Sequence, residues 1–144
     1  MKKFCKRFLL FFMWLGIVIA FGLIVLVTYW LVYPYNILTF TEGNGTFIET
    51  TIKRGDFLRM HQNSCKTIDI SSMINRQFVD GVIYQVPTVR ANRPMGCTQN
   101  IEYIYIPDSL PYGEYYIQTF ITFQPNPLRT INYTVRTEMF KVVK

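Results

Sequence analysis

The sequence predicts one membrane-crossing helix followed by an all-β domain, an antiparallel sandwich of seven or eight strands. Three observations carry that prediction. Residues 8–32, "FLLFFMWLGIVIAFGLIVLVTYWLV", hold no charged residue. From residue 46 onward, apolar side chains recur at every second position, which is the period of a strand. Turn residues separate these runs at roughly the 8–12-residue spacing of a sandwich.

As a helix, residues 8–32 span about 37 Å at 1.5 Å per residue, enough to cross a bilayer with some tilt. Thr28 is their only aliphatic hydroxyl. A domain of this size cannot cover such a helix on every side, so lipid is its natural solvent. Lys2, Lys3, Lys6 and Arg7 precede the run, and no positive charge follows until Lys53. The positive-inside rule then places the N-terminus in the cytoplasm and residues 33–144 across the membrane. The expected location is the inner (cytoplasmic) membrane, single-pass, with a periplasmic or extracellular C-terminal domain. Trp30, Tyr33 and Tyr35 stand where interfacial aromatics belong on the far side.

The expected organisation is a basic stub at 1–7, a signal-anchor helix at 8–32, a linker at 33–45 and a β-sandwich at 46–144. A cleaved signal peptide is the alternative, with an apolar core of about 7–15 residues and a small-x-small site. The bulky "TYWLVYPYN" does not suit such a site, and only "VIAFG" around Ala20 offers one. Gly16 and Ala20 form a small-xxx-small pair, a candidate helix-packing stripe for a homo-oligomer.

The net charge of +6 does not argue for a nucleic-acid partner. Four of the fifteen basic residues precede the apolar run, and all nine acidic residues follow it. The part beyond the helix therefore carries eleven basic and nine acidic residues, or +2. The basicity is mainly topogenic.

After the turn-rich "TEGNG" (41–45), "TFIETTIK" alternates with Ile48 and Ile52 on one face. "RGD" at Arg54–Asp56 is expected to turn the chain into "FLRMHQN", a short strand. "KTIDISSMI" alternates through Ile68, Ile70, Ser72 and Ile74. In "RQFVDGVIYQVP", Asp-Gly between two apolar runs is a strong hairpin signal. "NIEYIYIP", "EYYIQTFITF", "RTINYTVRT" and "MFKVV" complete the strands. Tyr115, Ile117, Thr119, Ile121 and Phe123 share one face, with Ile131, Tyr133 and Val135 facing inward from the next strand. Pro125 and Pro127 are expected to end the long strand near Gln124, because proline cannot donate to a sheet, and Asn126 suits a turn. The pattern reads as an immunoglobulin-like sandwich, with a small open β-barrel as the alternative.

Cys65 and Cys97 both fall in the exported part, where an even pair in a small domain favours a disulfide. A buried free pair is the alternative. Cys5 lies on the reducing side and is expected to remain a thiol.

The catalytic inventory is thin. His61 is the only histidine, and no nucleophile-elbow, zinc-protease or phosphate-loop motif occurs. The chain reads as a non-enzyme, and no cofactor or metal is implied. Arg90 and Arg93 in "VRANRPMGC" form a candidate partner-binding loop. Tyr84, Tyr103, Tyr105, Tyr112, Tyr115 and Tyr116 exceed what one sandwich core needs, so some are candidates for an exposed patch.

Near the end stand Pro111, Gly113 and Tyr115, then Asn126, Pro127 and Leu128, then Phe140 and Val142. Gly55 and Asp56 precede a short strand and Cys65. On these motifs, across much of residues 53–143, the chain resembles small single-pass membrane proteins encoded by tailed bacteriophages. It departs from their pattern at Pro125. The resemblance implies a phage origin and a β-rich exported domain, and no particular activity. The expected function is a membrane-anchored periplasmic binding module that contacts a host envelope or phage protein, in superinfection exclusion or lysis control. A holin-like lysis effector and a virion structural component are the alternatives.

Overall fold

The structure, a computed structural model, describes residues 2–33 and 36–144, with side chains from residue 7 onward. The expected roles of the Lys2, Lys3 and Lys6 side chains, and of Tyr35, lie outside the described residues. The chain forms two compact units, a helix with residues 126–129 grouped to it and a β-domain made of the remainder from residue 36.

Helix α1 runs from Lys2 to Val32. Within its Arg7–Val32 stretch an 18-residue window reaches a mean hydropathy of 2.9, and the stretch is long and apolar enough to cross a membrane. Large apolar side chains from Phe8 to Val32 are exposed all round the helix, Trp30 apart. Thr28 Oγ1 donates to the Ile24 carbonyl at 2.8 Å, so the one hydroxyl in the run is satisfied within the helix. Tyr29 and Tyr33 stack with ring centroids 5.2 Å apart at its C-terminal end.

The β-domain has eight strands: β1 (Leu38–Phe40), β2 (Thr51–Lys53), β3 (Phe57–Lys66), β4 (Ser72–Asp80), β5 (Val82–Ala91), β6 (Gly96–Tyr105), β7 (Gly113–Asn126) and β8 (Arg129–Val143). They form two sheets, in the orders β1-β3-β6 and β2-β8-β7-β4-β5. β2 runs parallel to β8, whereas β1, β4 and β6 meet their partners β3, β5, β7 and β3 antiparallel. The first strand region is thus divided between the sheets, and the central pairs β3–β6 and β4–β7 join strands that are not consecutive in the chain, an immunoglobulin-like arrangement.

That division corrects the reading of "TFIETTIK" as one strand. Phe47 bridges to Met60 on the first sheet, and the chain then crosses to place β2 beside β8 in the second. The crossing breaks the period of two. Phe47 packs on the core with Ile52, while Ile48 is exposed. The expected strand through Ile68 and Ile70 is also shorter, because β4 begins at Ser72. Asp80-Gly81 does close a hairpin, with Val79 opposite Ile83 and Gly81 at φ +66°, a conformation that suits glycine.

The long strand continues past Gln124 to Asn126. Its ladder with β4 ends at Ser72–Phe123, so Pro125 lies beyond β4 and its missing amide costs nothing there. Asn126 Oδ1 accepts the Leu128 N–H at 3.1 Å and shapes the tight turn into β8. "RTINYTVRT" and "MFKVV" are one strand, not two. Its alternation slips at Glu138 and Met139, both exposed, beside Thr137, whose Oγ1 accepts the Ile117 N–H at 2.9 Å.

Tyr115, at the start of β7, is fully buried and donates its hydroxyl to the Pro111 carbonyl at 3.0 Å. This is the tyrosine corner of immunoglobulin-like sandwiches. Burial, with the nearby Tyr84 and Asp80, raises the Tyr115 pKa above its ordinary value. The folded state therefore holds the phenol proton more tightly than the unfolded state. The associated stability is present below about pH 10 and is lost as pH rises through the folded pKa. Tyr115→Phe is expected to cost roughly 1 kcal/mol at neutral pH. It should also flatten the alkaline loss of stability, read from urea midpoints of the full chain in detergent at stepped pH.

Cys65 and Cys97 stand directly opposite each other on β3 and β6 and are disulfide-bonded, with a Cα–Cα distance of 3.9 Å. The bond joins two strands of one sheet, so it does not staple the sheets together. The bridge closes a sequence separation of 32. Replacing both cysteines by serine is expected to lower stability by about 2–4 kcal/mol, measured by denaturant unfolding without reductant.

The interior is divided by polarity. One apolar cluster includes Leu58, Phe78, Ile104, Ile117 and Phe140, and the other Ile37, Ile74, Ile121 and Phe123. Along β4 and β7 the two are separated by the facing pair Arg76 and Thr119. Across the sandwich, Gln62 on β3 and Glu102 on β6 supply the facing polar groups. The Arg76 guanidinium pairs with Glu102 Oε1, while that of Arg93 donates to Gln62 Oε1 and lies 3.8 Å from Glu102.

Candidate protein-binding face

The outer side of the β3–β6 ladder follows from strand alternation. Leu58, Met60, Ile104 and Ile106 point into the core, so their neighbours point out. The outward pairs are Phe57–Tyr105, Arg59–Tyr103, His61–Ile101, Asn63–Gln99 and Cys65–Cys97. Phe57, Ile101, Tyr103 and Tyr105 are 56%, 45%, 61% and 44% exposed, a concentration of apolar area at one end of a sheet face. The Phe57 and Tyr105 rings lie 5.4 Å apart.

Polar groups fix the rim of this patch. Arg59 pairs with Glu49. Tyr105 donates its hydroxyl to Asp108 Oδ2 at 3.2 Å. That hydrogen bond and the negative charge of Asp108 raise the Tyr105 pKa, so the phenol stays protonated at neutral pH. β6 is the last strand of its sheet, and its ten residues, "GCTQNIEYIY", include no lysine or proline. Its free edge therefore lacks the two side chains that most often blunt an edge strand.

The other candidate residues lie elsewhere. Arg90 is in β5 and exposed, with its Nε and Nη2 donating to Ser71 Oγ at 3.1 and 2.9 Å. Arg93 follows β5 but turns inward to Gln62 and Glu102, and burial lowers its pKa against the opposing pull of Glu102. The two arginines therefore do not present one loop surface. Gly16 and Ala20 are exposed on α1, and a Cβ added at Gly16 meets nothing within 4 Å. Arg7, also exposed, opens the apolar stretch.

Of the six tyrosines singled out, only Tyr103 and Tyr105 lie on this face. Tyr115 is core, Tyr84 packs against it, and Tyr112 and Tyr116 lie under the guanidiniums of Arg54 and Arg136. Phe57 and Ile101 went unassigned in sequence because their neighbourhood exists only once β3 pairs with β6. Among the described residues, no three His, Cys, Asp or Glu side chains come together to hold a metal.

Fold and face together define a class: an immunoglobulin-like β-sandwich on a chain that begins with a membrane-length apolar helix. No protein-family model matches the chain, and no curated protein matches it significantly.

Proposed function

We propose that the chain is a membrane-anchored, non-enzymatic binding module of phage origin. Its sandwich lies in the periplasm and contacts a host envelope or phage protein through the outer β3–β6 face. The observation that carries this reading is the exposed group Phe57, Ile101, Tyr103 and Tyr105. Aromatic residues are enriched among interface hot spots, and neighbouring Arg59 adds a polar anchor at the rim. The apolar helix supports the anchor, and the basic residues before it support the orientation. Superinfection exclusion and lysis control are the candidate roles.

The test places a photo-crosslinking residue at Tyr103 in the full chain, expressed in bacteria, with Gln85 on the other sheet as control. The expected result is one discrete adduct from position 103 with an envelope or co-expressed phage protein, and none from position 85. No adduct, or equal adducts from both positions, overturns the assignment of the face. Abrupt dye entry on induction would replace the binding module with a lysis effector.

A further inference from the structure

The outer face of the five-stranded sheet carries a second feature, independent of the aromatic face. Ser72 and Ile74 point inward, so Met73 points outward, 50% exposed. In register with it stand Arg90 on β5 and Thr122 on β7. Thr122 Oγ1 in turn donates to Asn132 Oδ1 on β8 at 2.9 Å, extending the row across four strands. At this row the surface forms a groove of about 500 Å³, within the size range of small-ligand sites.

The chemistry of the lining is specific. Ser71, Thr122, Gln124 and Thr130 contribute hydroxyl and amide groups. Thr122 Oγ1, its proton given to Asn132, is left to accept; Ser71 Oγ, accepting twice from Arg90, is left to donate; Gln124 and Thr130 can do both. Ile70 and Met73 add apolar surface. Arg90 is the only charged side chain in the lining, and it forms no ion pair among the described residues. Ser71 Oγ takes two of its five N–H donors and holds the guanidinium in place, leaving three.

One unpaired guanidinium favours one anionic group. A nucleic-acid strand calls for repeated phosphate contacts, and an apolar protein hot spot calls for aromatic anchors; the groove is lined by neither. A saturated ring bearing hydroxyls and a carboxylate matches every part of the lining. Its C–H face covers Met73 and Ile70, its hydroxyls meet Thr122, Gln124 and Thr130, and its carboxylate meets Arg90. We propose that this groove is a binding site for an acidic sugar of a glycan.

The test uses saturation-transfer NMR on the full chain in detergent micelles. The probes are the disaccharide of N-acetylglucosamine and N-acetylmuramic acid, neutral di-N-acetylchitobiose, acetate, and a glutamate-rich peptide. The acidic disaccharide is expected to bind about tenfold or more tightly than the neutral one, as a charge-assisted contact implies. Arg90→Gln should abolish that preference, and Gln124→Leu should weaken both sugars. Both positions are exposed, and an unchanged near-UV spectrum confirms folding. If Arg90→Gln fails to fold, Gln124→Leu alone decides. Absence of sugar binding, equal affinity for the two disaccharides, or affinities unchanged in a folded variant overturns the proposal. So does acetate or the peptide binding as tightly as the acidic sugar.

Discussion

Replacing Phe140 by alanine is expected to remove about 3–5 kcal/mol of stability, the usual cost of truncating a buried aromatic side chain. Phe140 is 2% exposed and sits where the elements of the larger apolar cluster converge. Its ring centroid lies 5.3 Å from Phe47, 6.1 Å from Phe78 and 6.2 Å from Tyr115. Truncation removes all three ring contacts and leaves a cavity that the two sheets, each held by its own ladder, cannot collapse to fill. Such a loss is a large share of the 5–15 kcal/mol typical of a domain. The adjacent Met139 is 57% exposed, and Met139→Ala should stay within about 0.5 kcal/mol. Urea unfolding of the full chain in detergent, followed by near-UV dichroism, compares the two. Equal midpoints for both variants would refute the account of this core.

Glu102→Ala is the second large effect, at roughly 2–4 kcal/mol. Glu102 neutralises Arg76 and faces Arg93, with side chains 20%, 14% and 26% exposed. Removing one partner of a fully buried pair costs about 3–5 kcal/mol, and the residual exposure here lowers that figure. Arg76 Nε and Glu102 Oε2 are already buried without a partner, so the belt is only partly satisfied. Replacing Arg76 and Glu102 together with Met and Leu should therefore cost less than Glu102→Ala alone, because only Arg93, still hydrogen-bonded to Gln62, then lacks a carboxylate, whereas the single variant strands both arginines. A double variant less stable than the single one would mean that the belt stabilises the fold outright.

Much of this architecture was legible in the order of residues. Period-two patterning placed Tyr115, Ile117, Thr119, Ile121 and Phe123 on the inner face of one strand, and all five are buried there. Asp80-Gly81 marked its hairpin through the turn chemistry of glycine. The readings that failed share a cause. Ile48 looked like a core residue because its neighbours alternate, but the chain changes sheets between Phe47 and Thr51. Pro125 looked like a strand end because a proline must lack a ladder partner, and only the finite length of β4 shows that none is required.

Local chemistry alone determined that residues 8–32 make an apolar helix of membrane length and that the rest makes strands, since charge, periodicity and turn residues act over a few positions. Tertiary structure decided which tyrosines are core and which are surface. It turned Arg93 inward to Glu102, and it set Arg90, Met73 and Thr122 in one row. The physical reason is that burial and register depend on strands far apart in sequence. Cys65 meets Cys97, and Phe57 meets Tyr105, only when the pairing of β3 with β6 brings them opposite each other.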